Sequence, residues 1–218
     1  MHPVPSPLRA FGLLALRTPL ALIALLPFLP WGNMAVTALA GPVQSVAIPA
    51  AAAKAIPNPA PWQAFLSRYV DTTAADGIHR VRYAAVTPAD KASLKAYLKA
   101  VQAAPLSTFP IEDQRALWIN MYNAQTVAVV LDHYPLRSVR DLMLQSSKEP
   151  GSPKPGPWDA KLLKVEGKDL SLNDVENGIL RTQWKDNRIH FALNCASLGC
   201  PNLATRAFTG ANTDKLLE

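Results

Sequence analysis

At 218 residues the chain is long enough for one domain with a real core, and two would be cramped. Its 22 basic and 16 acidic residues leave a formal charge of +6 spread along the sequence. A surplus that small and that dispersed reads as ordinary solvated surface and argues against a nucleic-acid partner.

Residues 1–40 stand apart. They carry Arg9 and Arg17 and no acidic residue, then an apolar run from Pro19 to about Leu29, then Ala38-Leu39-Ala40. That order is the one of a secretory signal with its small-residue cleavage site. The competing reading is an uncleaved anchor, but a spanning helix wants ~20 apolar residues, and Pro19, Pro27 and Pro30 interrupt this run. The protein is therefore expected to be exported, periplasmic or extracellular, with no transmembrane helix once the signal is removed. Removal takes two basic residues and leaves +4. An oxidising compartment also permits a disulfide.

Residues 41–61 are rich in Ala and Pro with almost no charge and read as a linker. The folded part, 62–218, is expected to be one domain. Trp62, Phe65, Leu66, Tyr69 and Val70 fall at helical spacing. The segment 77–83 reads as a short strand or extended connector holding His79, which reads as a surface residue. Thr87-Pro88-Ala89-Asp90 is a helix start: a capping hydroxyl, Pro at the first position and an acid in the first turn. That helix carries Leu94, Tyr97, Leu98 and Val101 and ends before Pro105.

The longest helical segment runs 111–133 and is apolar on nearly every face between Ala116 and Leu131, so it should be the buried central helix. Asn120 and Asn123 interrupt it three residues apart, on one face. Buried amides need partners. Either they bond to neighbouring backbone and fix packing, or they face the cysteine segment and line a site. His133 lies near the helix end, where it suits the negative dipole. Ser138-Val139-Arg140-Asp141 predicts a second capped start, with a short helix through Leu144. Residues 146–157, with four prolines, read as a long loop, plain surface or a lid.

Residues 162–170 read as a hairpin about a turn at Gly167. Ser171-Leu172-Asn173-Asp174 repeats the capping pattern and starts a helix through Arg181. On an α-helix Glu176 and Arg181, five apart, are not neighbours, so each is expected to bond elsewhere. Residues 188–194 are expected to form a strand. The fold class predicted is α+β: a helix-rich single domain with a buried central helix and a small, mainly antiparallel sheet.

The stretch 188–201 (RIHFALNCASLGCP) holds both cysteines, Cys195 and Cys200, beside His190 and Asn194. Three readings are open: a Cys195–Cys200 disulfide, a thiolate nucleophile with a histidine base, and a metal site. In a strand, where each residue advances ~3.3 Å, His190 and Cys195 would stand roughly 16 Å apart. A reversal through 196–199 would bring Cys200 back toward His190 instead; His133 or His79 are the other histidines open to Cys195. Zinc fits worst, because it wants three or four ligands and Cys-x4-Cys with one nearby His lacks the usual spacing. No glycine-rich phosphate loop, G-x-S-x-G elbow or H-E-x-x-H occurs, and neither metal nor cofactor is called for.

Three stretches in this order and spacing, 117–124 (LWINMYNA), 170–181 (LSLNDVENGILR) and 188–201, resemble the domain-of-unknown-function 547 family from about residue 113 onward. The resemblance brings no reaction. It implies that Asn120, Tyr122, Asn123, Glu176, Arg181, His190, Asn194, Cys195 and Cys200 stand at the family's hallmark polar positions. A looser likeness is to papain-like and transglutaminase-like thiol folds, which set a cysteine where the buried helix here carries asparagines. Members of the family usually continue beyond the point corresponding to residue 218, where a helix is starting, so the chain is expected to be truncated.

Two functions are expected to compete. One is acyl transfer or amide hydrolysis through a thioester: Cys195 or Cys200 as nucleophile, His190 as base, Asn120 or Asn123 orienting the base or donating to an oxyanion, and Tyr122, Glu176, Arg181 and Asn194 binding. The other is a non-catalytic envelope binding or scaffold domain stapled by a disulfide. Its partner would be a small molecule, a peptide or an envelope component.

Overall fold

Ala60 opens the first helix with Pro61 in its first turn, where a missing N–H costs nothing, and the Asn58 side chain accepts from the Ala60 N–H at 2.9 Å. This helix begins within the segment expected to be linker, two residues before Trp62. The computed structural model describes residues 55–144 and 156–218. The expected signal, residues 1–40, most of the linker and most of the 146–157 loop lie outside the described residues.

The elements run in order: α1 (Ala60–Tyr69), β1 (Val70–Asp71), β2 (Arg80–Val81), α2 (Pro88–Gln102), α3 (Ile111–His133), β3 (Leu163–Val165), β4 (Lys168–Leu170), a π-helix (Asp174–Leu180) continued by α4 (Arg181–Trp184), α5 (Ile189–Ala192) and α6 (Thr213–Leu217). Short 3₁₀ turns connect them at Tyr83–Ala85, Leu106–Thr108 and Val139–Asp141. Both sheets are two-stranded and antiparallel, β1 with β2 and β3 with β4. The result is a helix-rich α+β domain with small antiparallel sheets. Among the described residues no helix is long and apolar enough to cross a membrane.

α3 is the axis. From Ala116 to Leu131 only Gln125 is not buried, and α2 and the π-helix pack against it. Into the same core α1 sends Trp62, Phe65 and Leu66, α2 sends Leu94, Leu98 and Val101, and the later elements send Leu163, Val165, Leu172, Val175 and Leu180. Each such side chain contributes roughly 1.5–3 kcal/mol by leaving water.

The local signals resolve as their chemistry requires. The Thr87 hydroxyl accepts from the Asp90 N–H at 3.1 Å and starts α2. Ser171 and Asp174 form a reciprocal box, Ser171 Oγ accepting from the Asp174 N–H and Asp174 Oδ2 from the Ser171 N–H. The β3–β4 turn holds Glu166 at φ 48° and Gly167 at φ 80°, the two left-handed residues of a tight hairpin. Two expectations fail. The segment after Ser138 makes one 3₁₀ turn, Val139–Asp141, and Leu142 turns extended, so no helix reaches Leu144.

The second failure is the strand at 188–194, where the chain forms α5 instead. Asp186 Oδ1 accepts from the Arg188 N–H at 2.9 Å and turns the chain, and among the described residues no strand pairs with this segment. Burial then follows helical spacing: Ile189, Ala192 and Leu193 are inside, His190 and Phe191 outside.

The start of α2 carries a pH signature. The Asp90 carboxylate accepts from the Tyr69 hydroxyl, Thr87 Oγ1 and the Arg68 guanidinium at 2.6–2.7 Å, and these bonds hold its pKa down to about 2, Tyr69 contributing most. The folded value lies below the unfolded one of about 3.9, so the stabilisation is complete above pH ~4 and is lost as pH falls toward 2. Asp90→Asn is expected to flatten that acid limb, as read from melting temperatures across pH 2–5; an unchanged limb would refute the assignment.

Candidate functional site

The π-helix brings together residues that an α-helix would keep apart. Its wide turn closes bonds five residues apart: the Arg181 N–H donates to Glu176 O, and Thr182 Oγ1 donates to Asn177 O at 2.9 Å. Side chains five apart therefore share a face, and Arg181 Nη2 donates to Glu176 Oε1 at 2.9 Å. This corrects the expectation that Glu176 and Arg181 bond elsewhere. π-type turns concentrate at functional sites.

Two more predicted residues join the pair. Tyr122, on α3, donates from its hydroxyl to Glu176 Oε2 at 3.4 Å. Burial, with the Glu176 charge adding to it, pushes the phenol well above its usual range, so it stays a donor. His190, on α5, sets Nδ1 3.3 Å from Arg181 Nη2. A guanidinium only donates, so Nδ1 accepts and the neutral ring carries its proton on Nε2. The Glu176 side chain is 16% exposed, whereas Arg181 and His190 are 48% and 53% exposed. Arg181, Lys185, Asp186, Asn187 and His190 line a cavity of about 280 Å³. Lys185 reaches its rim from a left-handed C-cap, φ 52°, that ends α4.

A second group surrounds the cysteines. Asn123, 2% exposed, donates to Ala192 O at 2.8 Å and accepts from the Asn194 N–H at 2.9 Å. Asn120, fully buried, does the same for Phe208 O and N–H. Both asparagines thus mimic a strand edge for the segments they face. Asn123 does face the cysteine segment, and it does so through backbone bonds. Asn194 donates to Pro201 O at 2.8 Å and accepts from the Ala196 N–H at 2.9 Å.

Cys195 and Cys200 are joined in a disulfide, with their Cα atoms 5.9 Å apart, and no free cysteine remains. Closing so short a loop is worth about 2 kcal/mol by chain entropy. Among the described residues no hydrogen bond links His190 to either sulfur. The predicted residues thus form two groups, Tyr122–Glu176–Arg181–His190 and Asn123–Asn194–Cys195–Cys200, with Asn120 serving the C-terminal segment. Among the described residues no group of three His, Cys, Asp or Glu side chains is placed to hold a metal ion.

Sequence reasoning missed Arg115, Asn202 and the role of His79. The Arg115 side chain, 6% exposed, pairs with Glu112, with Asp214 at 2.8 Å and with Asp186 at 3.9 Å, tying α3 to α6 and to the turn before α5. The signal was an arginine at the mouth of an apolar helix. Asn202 Oδ1 accepts from the His79 N–H, and Asn202 Nδ2 donates to Gly77 O. His79 is half-buried rather than a free surface residue, its Nδ1 2.8 Å from Leu203 O.

Residues 106–218, more than half of the chain, match the family described as "Protein of unknown function, DUF547". Comparison with curated proteins and with solved structures returned no significant match, and none of the comparisons carries the papain-like likeness.

Proposed function

The chain belongs to the DUF547 family, and from that premise we propose that it is an exported binding domain whose resting form offers no cysteine nucleophile. The observation that carries this reading is the Cys195–Cys200 disulfide. A nucleophile must be a thiolate, and with both sulfurs bonded to each other the resting protein offers none. Export, read from the signal-like N-terminus, agrees with an oxidised pair.

The ligand end of the domain is the Arg181–His190 cavity. Arg181 and Lys185 can only donate, and His190 presents Nε2–H. Asp186, the acid on that wall, is taken up by Arg188 at 2.8 Å and by Arg115. A rim of donors selects an acceptor-rich group, a carboxylate of a small molecule or peptide being the simplest. Glu176, backed by Tyr122, holds the guanidinium in place.

The test has two arms on the purified, never-reduced protein. A thiol count under denaturing conditions is expected to return none; two free thiols would sink the oxidised reading. Titration with acetate, followed by nuclear magnetic resonance, is expected to shift the His190 and Arg181 side-chain signals. No shift there would remove the carboxylate site.

A further inference from the structure

The disulfide loop has a second, separate neighbour. A cavity of about 250 Å³ lies beside it, lined by Cys200, Ser197 and Asn202 on one side and by Ile78, His79 and Tyr83 on the other. Both cysteines are half-buried, and residues 197–199 between them are exposed. His79 is fixed at two points: its N–H donates to Asn202 Oδ1 at 2.8 Å, and Nδ1 faces Leu203 O at 2.8 Å. A carbonyl only accepts, so Nδ1 carries the proton and Nε2 of the neutral ring keeps its lone pair. A histidine with a set tautomer thus shares a cavity with one cysteine of the disulfide.

The S–S bond is not the loop's only tie. The Asn194 side chain already ties residue 194 to Pro201 O, enclosing the same residues as the disulfide. Asn123 holds the Asn194 N–H, and the Cys200 N–H donates to Ser197 O at 3.0 Å. Inside the loop Ala196 sits at φ 58°, a left-handed conformation costly for alanine; the Asn194 Oδ1 bond to its N–H holds it there. Opening the disulfide therefore leaves both cysteines in place, where they can close again.

We propose that Cys195–Cys200 is a thiol–disulfide exchange site whose substrate is a dithiol admitted through the His79 cavity. His79 Nε2 takes the proton of one incoming thiol, and the thiolate attacks the sulfur of Cys200, the cysteine that lines the cavity. The Cys195–Cys200 bond breaks; its electron pair leaves on Cys195 Sγ, which takes a proton from water. The second thiol of the substrate gives its proton to water and attacks its own sulfur in the mixed disulfide. The Cys200 thiolate departs and takes back the proton from His79. Two electrons and two protons move: the cysteine pair is reduced to two thiols and the dithiol is oxidised to a disulfide.

The test is the rate at which dithiothreitol reduces the full chain, followed by acid quench, alkylation and mass. Reduction is expected to yield two thiols together, with the far-ultraviolet circular dichroism unchanged. His79→Gln is expected to slow it about a hundredfold, the lower end of what a positioned base supplies, with the melting temperature unaffected. With one cysteine replaced, Cys200 (in Cys195→Ser) should be alkylated by iodoacetamide faster than Cys195 (in Cys200→Ser). Reduction only after unfolding, a His79→Gln rate equal to wild type, or a faster Cys195 would each overturn the proposal. Should a cysteine variant not fold, the His79→Gln rate still decides, and none of these outcomes bears on the thiol count of the resting form.

Discussion

Asn123→Leu is expected to lower the unfolding free energy by about 4 kcal/mol, because leaving two buried backbone groups without partners costs roughly 1–3 kcal/mol each. The groups are Ala192 O and the Asn194 N–H, both bonded to a side chain that is 2% exposed. Leucine keeps the branched outline and is somewhat larger than asparagine, so no cavity is left and the loss reports the hydrogen bonds together with any crowding. Asn123→Asp separates donor from acceptor. A carboxylate still accepts from the Asn194 N–H but cannot donate to Ala192 O, and it is charged in a buried place. Burial raises its pKa above the unfolded value of about 3.9, so its penalty should ease as pH falls through the raised folded value and be smallest below about pH 4. Denaturant unfolding at two pH values checks both variants. A loss under about 1 kcal/mol for leucine would mean that water replaces the amide.

Arg115→Met should cost about 2–3 kcal/mol. Removing one partner of a buried ion pair typically costs 3–5 kcal/mol, and two features reduce that here. Glu112 and Asp214 are 48% and 67% exposed and regain water when the guanidinium leaves. Arg115 Nε is buried without a partner among the described residues, so methionine also relieves an existing defect. Asp186, at 18% exposure, keeps Arg188. The loss should therefore fall mainly on α6, anchored through Asp214. Hydrogen exchange is expected to accelerate at 213–217 more than in α3; uniform acceleration would show that Arg115 serves the whole core.

The helices were legible because their information is local. Trp62, Phe65, Leu66 and Tyr69 repeat at helical spacing and all four are buried. Thr87 and Ser171 cap within three residues of themselves, and the Glu166–Gly167 turn sets its hairpin alone. The site was half legible. The three motifs named its polar residues, but their grouping was wrong for Glu176 and Arg181, whose spacing was judged on an α-helical turn. The run 188–194, apolar enough for a strand, became a helix because a strand exists only with a partner to pair with.

The sequence by itself determined the buried helix, its capped neighbours, the hairpin and the family to which the chain belongs. The elements depend on residues within a turn or two of one another, and the family on three such stretches in a fixed order. Tertiary structure alone decided where Asn120 and Asn123 spend their amides, 69 to 88 residues away, that Arg115 is buried among acids up to 99 residues distant, and that His79 shares a cavity with Cys200. Buried polar groups must find partners, but which partners reach them is set by how distant segments pack, and no local pattern encodes that.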